Sequence, residues 1–157
     1  MPGSSSSPIP TASQALDAAE TTAPLLASHL LAVAIGGAAG AVLRYLVSVV
    51  GTRMMPEHPE RATVVINAFG SLLLGAVLAW TLARPDHLHP ALHTGLAVGL
   101  LGAFTTYSTF SVEALKLMQN GRLAEATLYV VVTTVLCIAL AAAGYGAITA
   151  MLGKPTP

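Results

Sequence analysis

Four long apolar stretches, about 24–50, 62–83, 92–118 and 123–152, alternate with short polar interruptions along the chain. Each meets or exceeds the roughly 20 residues a helix needs to cross a bilayer. The interruptions hold Arg53, Glu57, His58, Pro59 and Glu60, then Arg84 to Pro90, then the turn signal Asn120-Gly121. The pattern predicts an all-α membrane protein of four transmembrane helices, with both termini on one side. Gly36, Gly37, Gly40 and Ala41 give the first helix a small-residue face suited to close packing. Residues 1–24 are rich in Ser, Pro, Ala and Thr, and carry no Lys or Arg. They lack the basic start and apolar core of a secretory signal and read as a disordered tail. That leaves 25–153 as one transmembrane domain.

The third stretch departs most from a plain spanning helix. Every residue from Thr105 to Thr109 carries a hydroxyl, and Gly99 and Gly102 lie just upstream. Threonine and glycine weaken a helix, so a break is expected here. In hydrocarbon, a broken backbone survives only where protein or a water-filled cavity satisfies its freed groups. Two readings follow. Half-helix ends at mid-membrane bind ions, whereas small and hydroxylated residues also line ordinary contacts between helices.

Few other polar residues enter the apolar stretches. Arg44 lies one turn beyond Gly40, where it either faces a vestibule or snorkels to the headgroups. Asn67 lies one turn inside the second stretch, and lipid cannot satisfy its amide. It must face another helix or water. Glu113 and Lys116 are three apart and can meet on one helix face. Tyr129 and Thr133 share a face of the fourth helix. His87, His89 and His93 lack an accompanying cysteine or spaced carboxylate, which favours a wet loop over a metal site.

Composition narrows the function classes. Only 9% of the 157 residues are charged, against roughly 25% in soluble domains. Net charge is zero, which leaves no basic footprint for nucleic acid. Cys137 is the single cysteine, so no internal disulfide can form. No phosphate loop or nucleophile constellation points to catalysis, and the chain is not expected to be an enzyme. Apart from Arg44, one side collects Arg53, Arg61, Lys116 and Arg122 and the other Arg84 and Lys154. This mild bias favours termini outside, and it suits a chain able to insert either way. Four short helices do not easily enclose a pore alone, so assembly is expected.

Gly36-Gly-Ala-Ala-Gly-Ala-Val-Leu-Arg-Tyr45, Val65-Ile-Asn-Ala-Phe-Gly-Ser71 and Gly99-Leu-Leu-Gly-Ala-Phe-Thr-Thr-Tyr-Ser-Thr-Phe-Ser-Val-Glu113 together resemble the Fluc (CrcB) fluoride channels over about residues 30–150. The resemblance implies an antiparallel, dual-topology dimer in the inner (plasma) membrane, formed with the same or a closely related chain. Two fluoride pathways would run along the subunit interface and carry fluoride passively out of the cytoplasm. It implies a third-helix break where carbonyls of Gly102 and Thr105 from both subunits hold one structural Na⁺. Asn67, Tyr107, Ser108, Thr109, Phe110, Glu113 and Tyr129 would line the fluoride pathway, with Arg44 at its vestibule. Two rivals use the same four helices. A proton-coupled multidrug exporter needs a membrane-embedded carboxylate, and the candidates Glu113 and Glu125 lie near helix ends. A non-transporting assembly subunit leaves the clustered hydroxyls unexplained.

One residue departs from the resemblance: Tyr107 stands where those channels have phenylalanine. An aromatic ring offers its positive edge to a small anion, and tyrosine keeps that edge while adding a hydroxyl at its tip. Tyr107→Phe is therefore expected to leave assembly intact and fluoride flux equal or higher in a liposome efflux assay. A large loss of flux would identify the hydroxyl as a ligand.

Overall fold

The computed structural model describes residues 11–85 and 87–153. These are helical throughout apart from short connections, with no strand among the described residues. Four helical runs are long and apolar enough to cross a membrane: Thr22–Met54, Glu60–Ala83, Pro90–Gln119 and Leu123–Leu152. The first helix begins at Ala12, upstream of the start near residue 24 that the sequence pattern suggested. Its proline, Pro24, removes one backbone donor, yet the helix continues through it. Of the expected tail, residues 1–10 lie outside the described residues.

The third run is composite. Pro90–Thr94 opens it, with the His89 side chain accepting a hydrogen bond from the Ala91 N–H and Pro90 in the first turn. Gly95–Leu101 then widens into π-type turns, and Gly102–Phe104 returns to α geometry. After Thr105 and Thr106 leave the helix, Tyr107–Gln119 forms the downstream half.

The first span packs on the upstream half of the third, and the second span packs most extensively on the fourth. Both contacts depend on missing side chains. A Cβ on Gly36 would collide with the Gly95 carbonyl, and one on Gly40 with the Leu100 carbonyl. Gly75 faces the Ala141 carbonyl in the same way, and Gly144 the Leu72 carbonyl. In lipid, apolar side chains gain little by leaving apolar surroundings, so close backbone approach supplies the contact energy. A compact cluster of Phe110, Ala114, Leu117, Ala126 and Tyr129 joins the downstream half to the fourth span. Many large apolar residues, among them Leu30, Ile35, Val135 and Ile138, face outward. That surface suits lipid or a second subunit.

The glycine contacts make a discriminating prediction. Gly40→Val should cost about 3 kcal/mol or more, because its Cβ would meet backbone that cannot move aside. Gly37→Ala, where nothing lies within 4 Å of the new methyl, should be tolerated. Thermal midpoints of the purified variants in detergent measure the difference.

Candidate functional site

The candidate site forms where the third span breaks. Thr105 still closes the upstream half, its N–H and Oγ1 both donating to the Leu101 carbonyl at 3.0 Å. Its own ψ of 158° and the Thr106 φ and ψ of −151° and 117° are extended, so two residues leave the helix. Asn67 of the second span meets them there. Its Oδ1 accepts the Thr106 N–H at 2.8 Å, and its Nδ2 donates to the Thr106 carbonyl at 3.0 Å. The primary amide thus pairs with both polar groups of Thr106, as an adjacent strand would. Thr106 Oγ1 then accepts the Thr109 N–H at 3.2 Å and caps the downstream half. It also donates to Thr109 Oγ1 at 3.0 Å, and Ser108 Oγ lies 3.4 Å away.

These bonds change the backbone accounting. In a continuous helix the N–H groups of Thr106 and Thr109 would close on the carbonyls four residues back, those of Gly102 and Thr105. Both donors are taken by side-chain oxygens instead. The two carbonyls thereby lose their helical donors, with Gly102 exposed and Thr105 half-buried. Gly70 lets the break nest against the second span, since a Cβ there would strike Thr105 Cγ2.

A cavity of about 330 Å³ opens beside the break, with Asn67, Ser71, Thr105, Thr106, Tyr107 and Phe110 among its lining residues. From it an aromatic row leads along the downstream half. Tyr107 and Phe110 lie 5.6 Å apart between ring centroids, Phe110 and Tyr129 5.2 Å, each pair tilted by 45°. Tyr107 is 81% exposed, whereas Phe110 and Tyr129 are buried. The row ends at Glu113, which accepts from Tyr129 Oη at 2.7 Å and from Thr63 Oγ1 at 3.0 Å. Glu113 therefore turns inward to two hydroxyls and forms no ion pair with Lys116 among the described residues, contrary to the helix-face pairing their spacing allowed. Ser108, Thr109 and Glu113 also line a second, open depression with Val112 and Lys116.

The family described as CrcB-like protein, Camphor Resistance (CrcB), matches residues 31–145. This chain belongs to the CrcB family. Relatives named fluoride-specific ion channel FluC align over 111 residues, covering 71% of this chain and 88% of theirs. Those from Shewanella halifaxensis, Shewanella amazonensis and Shewanella baltica (strain OS185) are 44%, 41% and 42% identical to it.

In this CrcB protein, all of the sequence-nominated side chains except Arg44 gather within the third span, on Asn67, or on Tyr129. Arg44 is half-buried on the first span, without a hydrogen bond or ion pair among the described residues, and is not part of the cavity lining. Three residues that the sequence reading did not nominate belong to the site. Thr106 caps and anchors the break, Thr63 holds Glu113, and Ser71 lines the cavity. A signal for two of them was present: Thr63, Asn67 and Ser71 recur every four residues and so share one face of the second span.

Thr63→Val and Tyr129→Phe each remove one donor from the same carboxylate, at an expected cost of about 1 kcal/mol apiece. Because both donors act on one group, the double variant should depart from additivity by at least about 0.5 kcal/mol. Unfolding of the four proteins in a double-mutant cycle measures this coupling, and additive losses would mean that Glu113 does not link the two hydroxyls.

Proposed function

We propose that this CrcB protein conducts fluoride passively across the cell's inner membrane, out of the cytoplasm. The reading is carried by the break itself: a third span opened midway along its length, with hydroxyls, an amide and two aromatic rings gathered beside a cavity. The name shared by its relatives supports the identity of the ion. Fluoride holds water tightly, so a pore must replace that shell with donors and positive ring edges. Ser108, Thr109, the uncommitted second N–H of Asn67, and the edges of Tyr107 and Phe110 are groups of that kind. Tyr129 and Glu113 continue the route, and Arg44 draws the anion toward the vestibule.

Two chains assemble antiparallel, giving two pathways along their interface. The outward-facing apolar surface and the small charge bias between loops both accommodate this arrangement. The break suits a cation between the subunits. Gly102 and Thr105 carbonyls have lost their helical donors, and hard oxygens suit Na⁺. No cluster of three His, Cys, Asp or Glu side chains that could hold a metal occurs among the described residues, so a backbone site for a monovalent ion fits the donors present. Bound there, Na⁺ would supply fixed positive charge that neutralises converging carbonyl dipoles; it is structural and is not transported.

Purified protein in liposomes tests the reading with a fluoride electrode. Fluoride should leave the vesicles far faster than from protein-free controls, without a comparable release of chloride. Absence of fluoride efflux would overturn the function. Replacing Na⁺ by a larger cation throughout purification should lower flux or dimer stability, while a trace-metal chelator should change neither.

A further inference from the structure

We infer that Asn67 is a positioning residue for the cation site, acting through the backbone of Thr106 rather than by touching the ion. The inference rests on the proposed Na⁺ reading and adds the device that keeps its carbonyls open. The Gly102 carbonyl is free because the Thr106 N–H donates to Asn67 Oδ1. The Thr105 carbonyl is free because the Thr109 N–H donates to Thr106 Oγ1, and that cap requires Thr106 to stay outside the helix. The bond from Asn67 Nδ2 to the Thr106 carbonyl fixes the extended course that places Thr106 there. One side chain of the second span therefore governs two acceptors on the third. Without it, the Thr106 N–H loses its side-chain partner and can return to the Gly102 carbonyl. The ion would then compete with the helix for its own ligands.

The arrangement also divides the labour of one amide. Asn67 Oδ1 and one Nδ2 hydrogen hold the break, and the other Nδ2 hydrogen remains for an anion in the adjoining cavity. The two ions would thus be coupled through a single residue, Asn67, which holds the backbone at the cation site and lines the cavity proposed for the anion.

The test uses full-length protein in detergent and Na⁺ alone as the probe, with the thermal midpoint titrated against Na⁺ at constant ionic strength. The wild type should gain stability as Na⁺ rises. Asn67→Ala should need roughly 10–100-fold more Na⁺ for the same gain, as outer-shell losses at metal sites do. Asn67→Asp, which keeps an oxygen for the Thr106 N–H but loses the donor to the Thr106 carbonyl, should retain only part of the response. An unaltered Na⁺ response in Asn67→Ala would overturn the inference. Should Asn67→Ala not fold, Thr106→Ala serves instead: it removes the cap, frees the Thr109 N–H for the Thr105 carbonyl, and should weaken the response in the same way. Hydrogen–deuterium exchange over residues 103–109 separates the two readings. If wild type shows no Na⁺ response, the cation reading is the one that fails, and faster exchange confined to this segment in Asn67→Ala still supports the latch. Unchanged exchange there would overturn it.

Discussion

A backbone opened inside hydrocarbon must find its hydrogen bonds within the protein, and here one primary amide supplies the decisive pair. Asn67 engages both the N–H and the C=O of Thr106, so the two-residue break carries no orphaned Thr106 group. Left unmade, the bond to the Thr106 N–H would leave a donor unpaired at a cost of several kcal/mol in lipid, which favours closing the helix again. The remainder of the region follows from this latch. Thr106 becomes an N-cap, the downstream half starts at Tyr107, and the hydroxyls of Thr106 and Thr109 are drawn together.

The latch works only if the second and third spans are close, and small residues provide that closeness. Gly70 leaves room for Thr105 and Phe104 against the second span. Gly36 and Gly40 bring the first span onto the upstream half, where the π-type turns of Gly95–Leu101 lead into the break. π-Type turns recur at functional sites because they shift the helix register without ending it. In this chain they precede the residues whose carbonyls are released.

Below the break, charge is contained rather than displayed. Glu113 is the one carboxylate in the downstream half, and both its oxygens are held by hydroxyls, from Thr63 and Tyr129. The same contacts orient Tyr129, whose ring packs on Phe110 and extends the aromatic row toward Tyr107. A polar network satisfied at every member rigidifies its surroundings. Here it fixes the far end of the row on three different spans.

Much of the fold was legible in the sequence because a membrane span is a local property of the chain. Length and apolarity located four spans within a few residues, and the hydroxyl run with its nearby glycines marked the weak point of the third. Hydrophobicity could not place the start of the first helix at Ala12, since polar residues can continue a helix beyond its membrane-spanning part. The sequence also required Asn67 to find a polar partner, but left open whether that partner was water, an ion or another helix. Tertiary structure alone decided that it is the backbone of Thr106, 39 residues away. It likewise turned Glu113 from its near neighbour Lys116 toward Thr63, 50 residues distant. Span positions depend on the transfer energy of consecutive residues, which a single sequence contains. Which buried polar groups meet depends on how the spans pack, and that is set by contacts between residues far apart in the chain.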